Sequence, residues 1–154
     1  MSLDVNALRT SFALVASRAP DLTRRFYDVL FARYPQVRPL FGRSPRPQQE
    51  EMLTRALVAV VEHLEDPTWL GHTLRAMGAK HVGYGVTEEM YGWVGESLLV
   101  ALADALGDDW TPAIADAWTA AFGAIAGAMI DGAREEIGSL ATSPDVGREP
   151  VSRL

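Results

Sequence analysis

The sequence predicts an all-α chain, because apolar residues recur at three- and four-residue steps through most of its length. No segment alternates apolar and polar residues as a half-buried strand does. Prolines, glycines and capping residues fall between the periodic segments, where they start and stop helices. The pattern gives six substantial helices and one or two short ones, joined by short loops. A bundle and other all-helical packings share it, and periodicity does not separate them.

Asp4 is placed to cap the first helix, whose apolar stripe is Leu8, Phe12, Leu14 and Val15. Pro20 fits the first turn of the second helix, in which Leu22, Phe26, Val29, Leu30 and Phe31 recur through Arg33. Tyr34 to Phe41 holds two prolines in eight residues, so only a short, tight turn of helix is expected. Gly42 to Pro47 reads as loop. A helix from about Gln48 to Leu64 follows, with Leu53, Leu57, Val60, Val61 and Leu64 as its buried face. Asp66 and Pro67 open the next helix, which runs to about His81 before Gly83-Tyr84-Gly85 breaks it. Thr87 caps a long amphipathic helix to about Leu106, stopped by Gly107-Asp108-Asp109. Thr111-Pro112 opens the last helix, which is expected to reach about Ile137. Residues 138–154 lack periodicity and read as a disordered tail, leaving residues 1–137 as one domain.

The chain of 154 residues is long enough to bury a core, and its composition, 48% apolar and 22% charged, is that of an ordinary globular domain. It has no cysteine, which excludes disulfides, thiolate metal sites and covalent attachment of a haem through thioethers. The net charge of −6 is spread along the chain and no basic patch stands out, so nucleic acid is not an expected partner. No signal peptide is visible, and Asp116, Thr119 and the glycines make Ala113 to Ile130 read as too polar for a membrane span. The expected location is the cytoplasm.

Three histidines are available for chemistry. Taken alone, His81 near a helix end is most often a surface residue or a partner of the helix dipole. His72, nine residues earlier, is half a turn out of phase and faces the other way. His63 sits near the far end of its own helix. No paired histidine or carboxylate cluster has zinc-site spacing. A single neutral imidazole in apolar surroundings suits haem iron better.

The stretch Arg25-Phe26-Tyr27-Asp28-Val29-Leu30-Phe31, followed by Tyr34-Pro35-Gln36-Val37-Arg38-Pro39-Leu40-Phe41, resembles bacterial single-domain haemoglobins and the globin domain of flavohaemoglobins. The similarity continues through Gln49-Glu50-Glu51-Met52-Leu53, Gly78-Ala79-Lys80-His81 and Tyr91-Gly92-Trp93-Val94-Gly95-Glu96-Ser97-Leu98-Leu99. It ends at Ala117-Trp118-Thr119-Ala120-Ala121-Phe122-Gly123 and so spans nearly the whole chain except its tail. The order and spacing of these pieces, rather than any one of them, are specific.

The resemblance implies a globin fold of six to eight helices around haem b (iron protoporphyrin IX), with His81 as the axial metal ligand. Tyr27 matches the family's distal tyrosine and Gln49 its distal glutamine, donors suited to an electron-rich diatomic ligand in a dry pocket. The loop before Gln49 is shorter than the family's. Placing Leu53 on the apolar stripe fixes this register, whereas a two-residue slip sets Arg55 against the ligand. Leu53 would cap the gas site and Phe41 would pack on the haem face, with Val94, Leu98 and Phe122 lining the pocket. Tyr91 matches a tyrosine that the family couples to the axial histidine. The glutamate that completes this relay in flavohaemoglobins is matched by Ala133, so the relay is expected to be broken or displaced. Without the family match, Tyr27, Phe41 and Leu53 read as core residues and Gln49 as a solvated one.

The function implied is reversible binding of dioxygen, nitric oxide or carbon monoxide. A second reading is a nitric oxide dioxygenase, and a third is a gas sensor. No dinucleotide-binding glycine pattern is present, so turnover is expected to depend on a separate reductase.

Overall fold

The computed structural model describes residues 3–41 and 45–142, and no strand occurs among them. Six α-helices carry the fold: α1 (Val5–Arg18), α2 (Leu22–Arg33), α3 (Arg46–Glu62), α4 (Pro67–Gly83), α5 (Glu88–Leu106) and α6 (Pro112–Thr142). Short 3-10 turns at Pro35–Phe41 and Gly107–Asp109 follow α2 and α5.

Local chemistry sets most of the helix ends. Asp4 Oδ1 accepts the Ala7 N–H at 3.0 Å, and Asp66 Oδ1 accepts the Trp69 N–H at 3.1 Å. Pro67 and Pro112 open α4 and α6, where a missing N–H costs no intrahelical bond. Gly107 closes α5 at φ +54°, a conformation costly for a residue with a Cβ.

Several expected boundaries move. Pro20 lies ahead of α2, which begins at Leu22 after Asp21. The helix expected from Gln48 starts at Arg46, because Pro47 is tolerated inside the first turn, and it ends at Glu62. Leu64 is buried just beyond that end. The last helix runs past Ile137 to Thr142, since Leu140 and Ala141 favour continued helix. Residues 138–142 of the expected tail are therefore helical, and 143–154 lie outside the described residues.

Helices α1, α2, α5 and α6 bury a common core that includes Leu8, Val15, Phe26, Leu30, Leu102 and Leu106. Inside it, Trp118 Nε1–H donates to Ser11 Oγ at 2.9 Å, and Ser11 donates on to the Ala7 carbonyl at 2.6 Å. Both buried polar groups are thereby satisfied. Helices α4 and α6 cross in contact: a Cβ on Gly78 would lie 1.9 Å from the Met129 carbonyl oxygen, and one on Gly132 would lie 2.1 Å from that of Arg75. Arg75 meeting Gly132 while Gly78 meets Met129 makes the two helices antiparallel.

The reading of the last helix as too polar for a span does not hold on composition. An 18-residue stretch within Pro112–Ala141 has a mean hydropathy of 1.5, long and apolar enough by length and composition to cross a membrane, because Ala, Ile and Met outweigh Asp116 and Thr119. Here Ala117, Trp118, Ala121, Met129 and Ala133 of α6 are buried against the other helices. Helix α3 differs in another way. It carries the expected apolar stripe, yet none of its residues is fully buried. Leu53, Leu57, Val60 and Val61 are only half-buried because, while they pack against the core, they also front a cavity.

Candidate functional site

A cavity of about 770 Å³ opens between α2, the Pro35–Phe41 turn and helices α3 to α6. That volume falls in the roughly 300–1,000 Å³ range of small-molecule and cofactor sites. Tyr27, Phe41, Gln49 and Leu53 line it from α2, the turn and α3. His81 enters from α4, Tyr91, Val94 and Leu98 from α5, and Phe122 from α6. The structure therefore brings these nine residues to one cavity.

His81 is half-buried near the C-terminal end of α4. Its Nδ1 lies 2.6 Å from the Met77 carbonyl oxygen, one turn earlier. A carbonyl only accepts, so Nδ1 carries a proton, and in the neutral ring Nε2 is left with a lone pair. Tyr84 packs edge-on against the imidazole at 5.3 Å between ring centroids. The chain then turns through Gly85 at φ +87°, and the Val86 N–H returns to the His81 carbonyl at 3.2 Å. This closure holds the helix end that carries the imidazole.

The other histidines stay apart from this chemistry. His72 is exposed. His63 stacks on Trp69 at 3.6 Å and its Nδ1 donates to the Ala59 carbonyl at 2.8 Å. Among the described residues no group of three or more His, Asp or Glu side chains could hold a metal ion together.

Tyr91 is buried, and its hydroxyl has no hydrogen-bond partner. Burial alone pushes its pKa up. Ala133, matched by resemblance to the relay's glutamate, is buried. The neighbouring acid Glu135 is committed to Arg75 at 2.5 Å. Arg134, between these two positions, grips Glu88 through two bonds of 2.7 and 2.8 Å.

Tyr27 is 5% exposed, with Phe26, Phe31 and Phe41 rings 4.9, 5.7 and 5.6 Å from its own. Its pKa is pushed up to about 12, chiefly by burial and then by the Glu50 carboxylate, with Arg46 opposing. The phenol is thus a neutral donor at any ordinary pH, and among the described residues nothing accepts its proton. Gln49 and Leu53 lie one turn apart on α3, both half-buried. Arg55 is exposed and paired with Glu51 at 3.2 Å, outside the cavity lining. On α5, Gly95 makes room for Phe122, whose ring would lie 2.3 Å from a Cβ there.

Met77, Val86, Ile125 and Met129 are among the cavity residues that the sequence does not single out. Ile125 and Met129 follow Phe122 at helical spacing, and extending that stripe would have found them. Val86 sits in a loop and carries no periodic signal.

The cavity chemistry fits haem. One imidazole presents an uncommitted Nε2, the α3 stripe lines the cavity without being fully buried, and the neutral donors Tyr27 and Gln49 line the same apolar chamber.

Residues 24–129 match the family model described as Globin. A flavohemoprotein of Bordetella pertussis is 34% identical over 150 residues, covering 96% of this chain and 37% of that protein. One from Deinococcus radiodurans is 40% identical over 113 residues, covering 71% of this chain and 28% of its own. The chain thus spans about a third of the length of these relatives. Among solved structures, a bacterial globin of Campylobacter jejuni superposes with a TM-score of 0.76 at 27% identity, covering 87% of this chain and 96% of the other. An engineered carbene transferase derived from a candidate nitric oxide dioxygenase of Rhodothermus marinus gives 0.81 at 26% identity, covering 92% and 99%.

Proposed function

This chain belongs to the globin family, and from that premise we propose that it binds haem b through His81 and takes up dioxygen or another diatomic gas reversibly. The observation that carries the reading is the contact between His81 Nδ1 and the Met77 carbonyl oxygen, which leaves Nε2 of the neutral ring free at the wall of the apolar cavity. When bound, haem would supply an iron centre able to take a diatomic ligand.

The side chains have separate tasks in this reading. His81 offers a neutral nitrogen whose ring orientation is fixed by the Met77 carbonyl. Tyr27 donates its hydroxyl proton to the electron-rich guest, and burial keeps that proton in place. Gln49 supplies an amide donor from α3. Leu53 and Phe41 keep water out, so that each hydrogen bond acts in a medium of low dielectric.

The partnerless Tyr91 hydroxyl and Ala133 leave the imidazole without an anionic relay. A neutral imidazole donates fewer electrons to its metal, which favours gas binding over peroxide cleavage.

A second reading is nitric oxide dioxygenase activity, supported by the 34% identity to a flavohemoprotein and the likeness to the Rhodothermus marinus protein. Its reducing equivalents would come from a reductase beyond the residues seen here. Stopped-flow measurement of dioxygen release, set beside nitrate formation with a flavin reductase present, separates the two. Slow release with little nitrate supports the binder; rapid stoichiometric nitrate supports the enzyme.

A further inference from the structure

One guanidinium ties together the two helices that carry Tyr27 and Gln49. Arg46, the first residue of α3, reaches across to α2. Its Nη2 donates to Asp28 Oδ1 at 2.6 Å and to the Arg24 carbonyl at 2.9 Å, while its Nε donates to Glu50 Oε2 at 3.0 Å. The guanidinium also lies 5.8 Å from the centroid of Phe31, the ring stacked on Tyr27.

On both helices these anchors adjoin the cavity residues. Asp28 follows Tyr27 directly, and Glu50 follows Gln49 directly. The first turn of α3 is thus held to the turn of α2 that presents the phenol. Further along, the Thr23 and Thr54 hydroxyls meet at 3.1 Å, one helix turn and more beyond Gln49. The geometry points to Arg46 as a positioning residue that sets the spacing of Tyr27 and Gln49 across the cavity, and so governs how firmly a diatomic guest is held. This inference rests on the reading of Tyr27 as the donor to that guest.

Magnitudes separate positioning from stability. The Arg46, Asp28 and Glu50 side chains are 37%, 63% and 22% exposed. Ion pairs this exposed contribute little to folding. Loss of the clamp should leave the fold intact and still change ligand release, because hydrogen bonds weaken steeply as donor and acceptor lose alignment.

The test uses the haem-loaded protein, with carbon monoxide and dioxygen as probes. Arg46→Met is expected to shift or split the infrared stretch of the carbon monoxide complex and to speed dioxygen release on the order of threefold or more. Asp28→Asn should reproduce the effect with Arg46 retained, and Arg46→Lys should restore part of it. In a Tyr27→Phe background, Arg46→Met should add nothing, because the donor being positioned is gone. Unchanged band and release in both Arg46→Met and Asp28→Asn, beside a clear Tyr27→Phe effect, would overturn the role of Arg46 alone. Full additivity of Arg46→Met and Tyr27→Phe would overturn it too. A Tyr27→Phe protein that behaves like the parent would instead remove the reading beneath it.

Discussion

The imidazole of His81 hydrogen-bonds through Nδ1 to the carbonyl oxygen of Met77, 2.6 Å away on the same helix. A backbone carbonyl is a neutral acceptor, so this contact orients the ring and fixes the tautomer without pulling the proton away.

Replacing Tyr27 with Phe removes a donor while keeping the ring packing against Phe26, Phe31 and Phe41. A hydrogen bond to a charged group contributes about 1.5–3 kcal/mol, which corresponds to roughly ten- to a hundredfold faster dioxygen release. Stopped-flow displacement by carbon monoxide measures it, and an unchanged rate removes Tyr27 from the mechanism.

Tyr27 also imposes a pH dependence on folding. Its pKa is about 12 when folded and about 10 when unfolded. The folded state therefore holds the proton more tightly, so its contribution is intact below pH 10 and is lost as the pH rises toward 12. The loss amounts to about 2–3 kcal/mol. Urea unfolding at pH 9 and pH 11.5 should show it in the parent and show less of it in Tyr27→Phe.

Tyr91→Phe deletes a buried hydroxyl that has no partner. An unsatisfied buried polar group is a cost, so the melting temperature should hold or rise. A marked drop would mean that the hydroxyl is engaged and that the relay is intact through another acceptor.

Gly78→Ala places a methyl group 1.9 Å from the Met129 carbonyl oxygen. Neither backbone can yield cheaply, so the crossing of α4 and α6 must open. Overpacking of this kind costs about 1–3 kcal/mol or more. Thermal melting followed by circular dichroism should show a clear loss, whereas the same change at Gly123, where nothing lies within 4 Å of an added Cβ, should not.

Much of this was legible before any coordinates. The helices announce themselves because their apolar stripes, caps and prolines agree, as at Asp66-Pro67 and Thr87. The cavity residues were found through resemblance, since a tyrosine such as Tyr27 reads as core when taken alone. Two kinds of feature stayed hidden. The Met77 carbonyl is backbone, and no side-chain pattern marks it. The Arg46 clamp joins separate helices, so its partners Asp28 and Arg24 are distant in sequence, and its position reads as loop in the sequence. Helix α3 taught the opposite lesson: its stripe was visible, but only the fold revealed that the stripe borders open space.

The central claim is tested most directly by the absorption spectrum of the purified, haem-reconstituted protein, reduced and then exposed to carbon monoxide, beside His81→Ala. The account predicts an intense band in the blue, a five-coordinate ferrous form and a sharp shift on adding the gas, with binding lost or strongly weakened in His81→Ala. A colourless parent protein, a six-coordinate low-spin ferrous form, or an unaltered spectrum in His81→Ala would contradict it.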